Sequence, residues 1–231
     1  MLDPETIGKT ADATKALAEA AGKGIDASVS LGRVFAGAFR PLLGIVEDRG
    51  KFWRWEQLVK LSERAEVVMR TKRMDVPTRE LPLKFAIPLL EKASLEDNEE
   101  LRELWAHLLV NAGDASTPME LRSGYVTVLS ELSSFDARNL ALLASASLAD
   151  PFVDRPYLPV IETWHLPVVA MIHEDGPGKT EPPPLSGEIT ESLGNLFRLG
   201  CIAPGGGWGG VALFTVVTVT GFGRALHRAC S

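Results

Sequence analysis

Apolar residues at Leu101, Leu104, Trp105, Leu108 and Leu109 follow the i, i+3, i+4, i+7 spacing of a helix with one buried face, and Gly113 ends the run. Ser94, with Asp97 three residues on, reads as its N-cap and capping box. Upstream, Trp55, Leu58, Leu61, Ala65, Val68 and Met69 trace the apolar face of a longer helix within Arg49–Arg73. Between the two, Leu81–Ala93 is helical in content, and Pro88 inside it predicts a kink or two short helices, because proline removes a backbone donor. Beyond Gly113, Ser116 or Thr117 as cap, Pro118 and Glu120 predict a helix reaching about Leu132. Ser134 is then expected to cap a helix carrying Leu140, Leu142, Leu143 and Leu148, closed by Asp150-Pro151.

The pattern changes after residue 150. Eight prolines (151, 156, 159, 167, 177, 182, 183, 184) predict a long connection over 150–184, with VVAMI at 168–172 as a short strand or a buried helical turn. Glu188–Leu199 regains helical spacing, Gly200 stops it, Gly205–Gly210 reads as a flexible turn, and β-branched Val211–Val219 reads as a strand. Thr220 then caps a last short helix through Cys230. Helix, tight turn, strand pair across a glycine tip and closing helix form a winged-helix pattern. The expected fold is therefore mostly α, with a multi-helix part over 1–114 and a winged-helix-like part over 115–231 that carries a short β-hairpin.

The first 48 residues are built differently. Asp12, Glu19, Asp26, Arg33 and Arg40 stand seven apart, and Ala16, Ala20, Gly24, Ser28, Gly32 and Ala36 form a row of small residues at four-residue spacing. Such a row lets a helix backbone approach a neighbour closely, or lie on a membrane, although each glycine costs about 1 kcal/mol of helix propensity. Pro41 and Gly44 mark a bend after it.

Charge separates the two central helices. Arg49–Arg73 holds eight bases against Glu56, Glu63 and Glu66, whereas Glu91–Glu103 holds six acids against Lys92 and Arg102. The basic helix opens on Phe52, Trp53, Arg54 and Trp55, an aromatic-basic start suited to an anionic membrane surface or to a protein partner. Alternatively it pairs with the acidic helix, or its charges are simply solvated.

With 231 residues, 45% of them hydrophobic, the chain can bury a sizeable core. A net charge of −6 argues against general nucleic-acid binding, which needs a basic surface to displace counterions. Cys201 and Cys230 have no CxxC spacing and read as reduced thiols of a cytoplasmic protein. No secretory signal is read in MLDPETIGKTADATK, and no apolar run approaches the ~20 residues of a membrane span.

Candidate chemistry is sparse. Gly176-Pro177-Gly178-Lys179-Thr180 imitates a phosphate loop, but His173 stands where its first glycine belongs and Pro182–Pro184 block the helix that must follow. His107, His165, His173 and His227 include no i, i+4 pair, so no metal site is expected, and His107 reads as a hydrogen-bonded helix residue. No GxSxG motif occurs, Glu99 and Glu100 read as surface charge, and no cofactor, small-molecule substrate or catalytic residue is assigned. For the alternative of a nucleic-acid-binding regulator, the reading helix offers Asn195 and Arg198, and Trp208 in the wing could stack on a base.

The stretch IPLLEKASLEDNEELRELWAHLLVNAGD, ending at Asp114, resembles the Abi-alpha family of small bacterial proteins named for abortive infection. Its most specific element is Leu104-Trp105-Ala106-His107-Leu108-Leu109-Val110-Asn111-Ala112. The resemblance extends to TKALAEAAGKGID, WRWEQLVKLSERAE, LGNLFRLGCI and TVTGFGRALHRAC. It implies antiphage defence in which the infected cell stops growing or dies before the virus spreads, and it brings no catalytic residues. The expectation is a non-enzymatic defence protein, cytoplasmic or peripheral to the inner membrane. It would act on a protein partner, a second copy or a membrane surface, through Gly24, Gly32 and Phe52–Trp55.

Overall fold

The computed structural model describes residues 49–148, 159–172, 183–208 and 211–231. The small-residue row with Gly24 and Gly32, the bend at Pro41, the glycine-lysine-threonine stretch at 176–180 and much of the proline-rich connection lie outside the described residues. What is described is mostly helical, with seven helices and one antiparallel sheet toward the C-terminus. It divides into two compact units between Ser123 and Gly124.

The first unit holds α1 (Arg49–Thr71), α2 (Leu83–Ala93) and α3 (Glu99–Gly113). Leu58, Leu61, Ala65, Val68 and Met69 of α1 are buried, as are Phe85, Leu89 and Leu90 of α2 and Leu101, Trp105, Leu108 and Leu109 of α3. Most of the helical spacing read from the sequence is thus core, although Leu104 is only partly buried. Arg73, at φ 56°, ends α1: its N–H donates to Arg70 O while Met74 N–H reaches back to Met69 O, closing a Schellman turn. Pro88 sits inside a single helix, so of the two expected outcomes, a kink or two short helices, the division does not occur; the buried face is Phe85, Ala86, Leu89, Leu90 and Ala93.

Three caps differ from the expectation, two of them before residue 124. Asn98, not Ser94, caps α3: its backbone is extended and its side chain accepts from Leu101 N at 3.0 Å. Ser94 instead ends α2, with its N–H on Leu90 O and its hydroxyl donating to Glu91 O at 2.7 Å. The helix expected from Pro118 begins only at Ser123. Asp114 holds the preceding loop by accepting from Ser116 N, Ser116 Oγ and Thr117 Oγ1, and Arg79 donates to the carbonyls of Thr117 and Met119.

The second unit holds α4 (Ser123–Leu129), α5 (Ser134–Leu148), β1 (Ile161–Glu162), β2 (Met171–Ile172), α6 (Gly187–Arg198), β3 (Ile202–Trp208), β4 (Val211–Val219) and α7 (Gly221–Ala229). Ser133 precedes α5 and exchanges bonds with Asp136, a capping box one residue earlier than expected. The sheet order is β2-β1-β4-β3 with every pair antiparallel. Gly206 and Gly207 pair with Leu213 and Ala212, so the expected turn at 205–210 is largely strand. Gly200, at φ 72°, ends α6 with the same Schellman pattern, Gly200 N–H to Phe197 O and Cys201 N–H to Leu196 O. Leu143, Ile161, Leu193, Leu196, Ile202, Val217, Val219 and Leu226 form the core.

Candidate functional site

The charge contrast between the two central helices becomes contact in the first unit. Arg64 of α1 grips the Glu103 carboxylate of α3 with two donors, Nη2 to Oε1 at 2.6 Å and Nε to Oε2. His107, one turn on, places Nε2 3.2 Å from Glu103 Oε1. The Arg64 hydrogen bonds hold the Glu103 carboxyl below its ordinary range, and burial opposes them. With cationic or ring partners on its oxygens, Glu103 is a poor base. Nearby, Arg102 Nη2 donates to Gln57 Oε1 at 2.7 Å and to Asp97 O at 3.1 Å, and Lys60 pairs with Glu56 at 2.9 Å. An open groove of about 640 Å³ runs here between α1 and α3, with Lys60, Glu63, Arg64, Val67, Glu99 and Glu103 among its walls. Its charges are mixed, which suits polar contact more than proton transfer. At the far end of α3, Lys72 Nζ donates to Asn111 Oδ1, and Gly113 O accepts from Thr78 N and Arg79 N.

The start of α1 is different. No acid stands in its first turn, although acids there complement the helix dipole. Trp53 is 38% exposed and Arg54 is exposed beside it. Phe52 and Trp55 belong to the same stretch of helix, and their side chains lie outside the described residues, as do Gly24 and Gly32 entirely.

On α6, Asn195 Nδ2 donates to Asp136 Oδ2 at 3.0 Å and to Glu131 O at 3.2 Å, while its Oδ1 accepts from Arg198 Nη2 at 2.8 Å. Arg198 also pairs with Glu131 at 2.8 Å. Burial works to raise the Asp136 carboxyl, but hydrogen bonds from Ser192, Ser133 and Asn195 prevail and hold it low. These groups bind α6 to the turn before α5. Trp208 ends β3, and its side chain lies outside the described residues.

Among the described residues no group of three or more His, Cys, Asp and Glu side chains could hold a metal ion, and no helix is long and apolar enough to cross a membrane. One surface feature was not anticipated from sequence. VVAMI reads as a short strand or a buried helical turn; Met171–Ile172 is a strand, while Val168, Val169 and Met171 are exposed.

A family model described as abortive infection alpha matches residues 56–230, most of the chain and both units. No curated protein and no solved structure matches.

Proposed function

The chain belongs to the abortive infection alpha family, and on that premise we propose that it defends the cell without chemistry of its own, by docking on an anionic membrane surface through the start of α1. The observation that carries this reading is Trp53 and Arg54 side by side and exposed on a helix whose first turn has no acid. A tryptophan ring favours the headgroup region, and each base near an anionic leaflet adds about 1 kcal/mol. The winged-helix regulator reading has less support, since Asn195 and Arg198 would first have to leave Asp136 and Glu131.

Co-flotation with anionic vesicles, at low and at high salt, tests the reading. Wild type is expected to float, less so as salt screens Arg54, and the double variant Trp53→Ala, Arg54→Glu to lose most of its binding and its protection against phage. Full protection by that variant would sink the proposal.

A further inference from the structure

The most exposed large apolar side chain among the described residues lies in the second unit, at the turn joining β1 to β2. Val168 is 83% exposed, with Val169 at 42% and Met171 at 49% beside it. The turn is nonetheless firmly built. Leu166 is buried under it, and Thr163 ties its base to the sheet, donating N–H and Oγ1 to Thr215 O at 3.1 and 2.9 Å. From Thr163 to Ile172 there is no Asp, Glu, Lys or Arg, in a chain of which 23% is charged. Trp164, half-buried, stands at the base with its ring 6.0 Å from that of His165.

The backbone decides what such a tip can meet. Leu166 N–H donates to Thr163 O at 3.0 Å, Pro167 has no N–H, and Val168 and Val169 N–H both reach His165 O, at 3.0 and 3.2 Å. Four consecutive residues therefore offer no free donor. A strand added to this edge would need free N–H groups, whereas an apolar phase penalises them. A protruding turn without Asp, Glu, Lys or Arg, whose backbone offers no free N–H over 166–169 and which has a tryptophan at its base, is complementary to the interfacial layer of a bilayer.

We propose that the Pro167–Met171 turn dips into the headgroup and upper acyl region of a lipid bilayer, with Trp164 at headgroup level. This rests on the membrane reading above but on other residues in the other unit, so the two are separable by variant. Three partly exposed side chains give weak, reversible insertion, effective when another contact already holds the protein at the surface.

The test uses the full chain carrying Val168→Cys labelled with a polarity-sensitive fluorophore, and vesicles of equal parts phosphatidylcholine and phosphatidylglycerol. Cys201 and Cys230 are buried, which pushes both thiols up to about 12, so the label goes to position 168. Blue-shifted emission on vesicles, quenched by bromine placed high on the acyl chains, is the expected result. Unlabelled Val168→Asp, Val169→Asp should float several-fold less than wild type with unchanged thermal stability, since both positions are exposed. If the protein floats through Trp53 and Arg54 while the label stays in water and the aspartates change nothing, the turn proposal is overturned and the α1 reading stands. If the aspartates abolish flotation while Trp53→Ala, Arg54→Glu floats like wild type, the α1 reading falls and the turn proposal stands. A shift that grows with protein concentration without vesicles would assign the turn to a second copy and overturn its lipid role, and failure of wild type to float would overturn both.

Discussion

Asp114 shows how a single carboxylate can shape a loop that helix signals predict otherwise. Ser116 and Thr117 side chains, in that order, hold its carboxyl down to about 2, with burial opposing them. A carboxyl lowered in the folded state stabilises above its unfolded value and loses that contribution as pH falls through the folded one. The window is therefore from about pH 4 down to about pH 2. Denaturant titrations of wild type and Asp114→Asn should differ most at neutral pH and converge as the solution is acidified through that window. A gap that stays constant down to pH 2 would mean that the charge is irrelevant and that the loss comes from the turn geometry the asparagine fails to reproduce.

At the scale of elements, periodicity located the helices and side-chain competition set their ends. The apolar faces of α1 and α3 were legible because Leu58, Leu61, Trp105 and Leu108 recur at helical spacing and are buried. The start of α3 differs because Ser94 and Asn98 are both competent caps; the choice depends on Ser94 serving as the C-cap of α2, bonded to Leu90. Asn98→Ala should accordingly cost about 1 kcal/mol, and Ser94→Ala clearly less, measured by urea denaturation. Equal losses would contradict the assigned cap. The Arg64–Glu103 grip was open as one of several fates for a basic helix, and only the facing of α1 and α3 selects it. Exposure of the 167–171 turn was not legible, since an apolar run has no sign that says which side faces water. In the second unit Gly223 is a packing requirement: a Cβ there would collide with the backbone carbonyl of Cys201, which also accepts from Thr220 N. Gly223→Ala should destabilise by about 1–3 kcal/mol, because the carbonyl cannot rotate away as a side chain would. A melting temperature unchanged from wild type would show that α7 shifts freely.

Across the whole molecule, the family match over 56–230 reaches into both units, and the candidate surfaces are separate: the aromatic-basic start of α1, just before the matched residues, in one and the apolar turn in the other. The net charge of −6 bears on what either can hold. A bilayer rewards a local cluster of bases and apolar side chains, because headgroups and hydrocarbon are met over a small area. Duplex DNA presents a long line of phosphates, and affinity comes from the number neutralised. Arg198 and Asn195 are engaged with Glu131 and Asp136, and Glu188 and Glu191 share their helix, so α6 would bring repulsion as well as attraction to a phosphate backbone. Fluorescence anisotropy with a random duplex at near-physiological salt should therefore give only weak binding, with a dissociation constant no tighter than about 10⁻⁴ M, the loose end of non-specific association. Tight binding that weakens steeply with added salt, and that Arg198→Ala reduces, would instead favour a nucleic-acid regulator and reverse the order of the two readings.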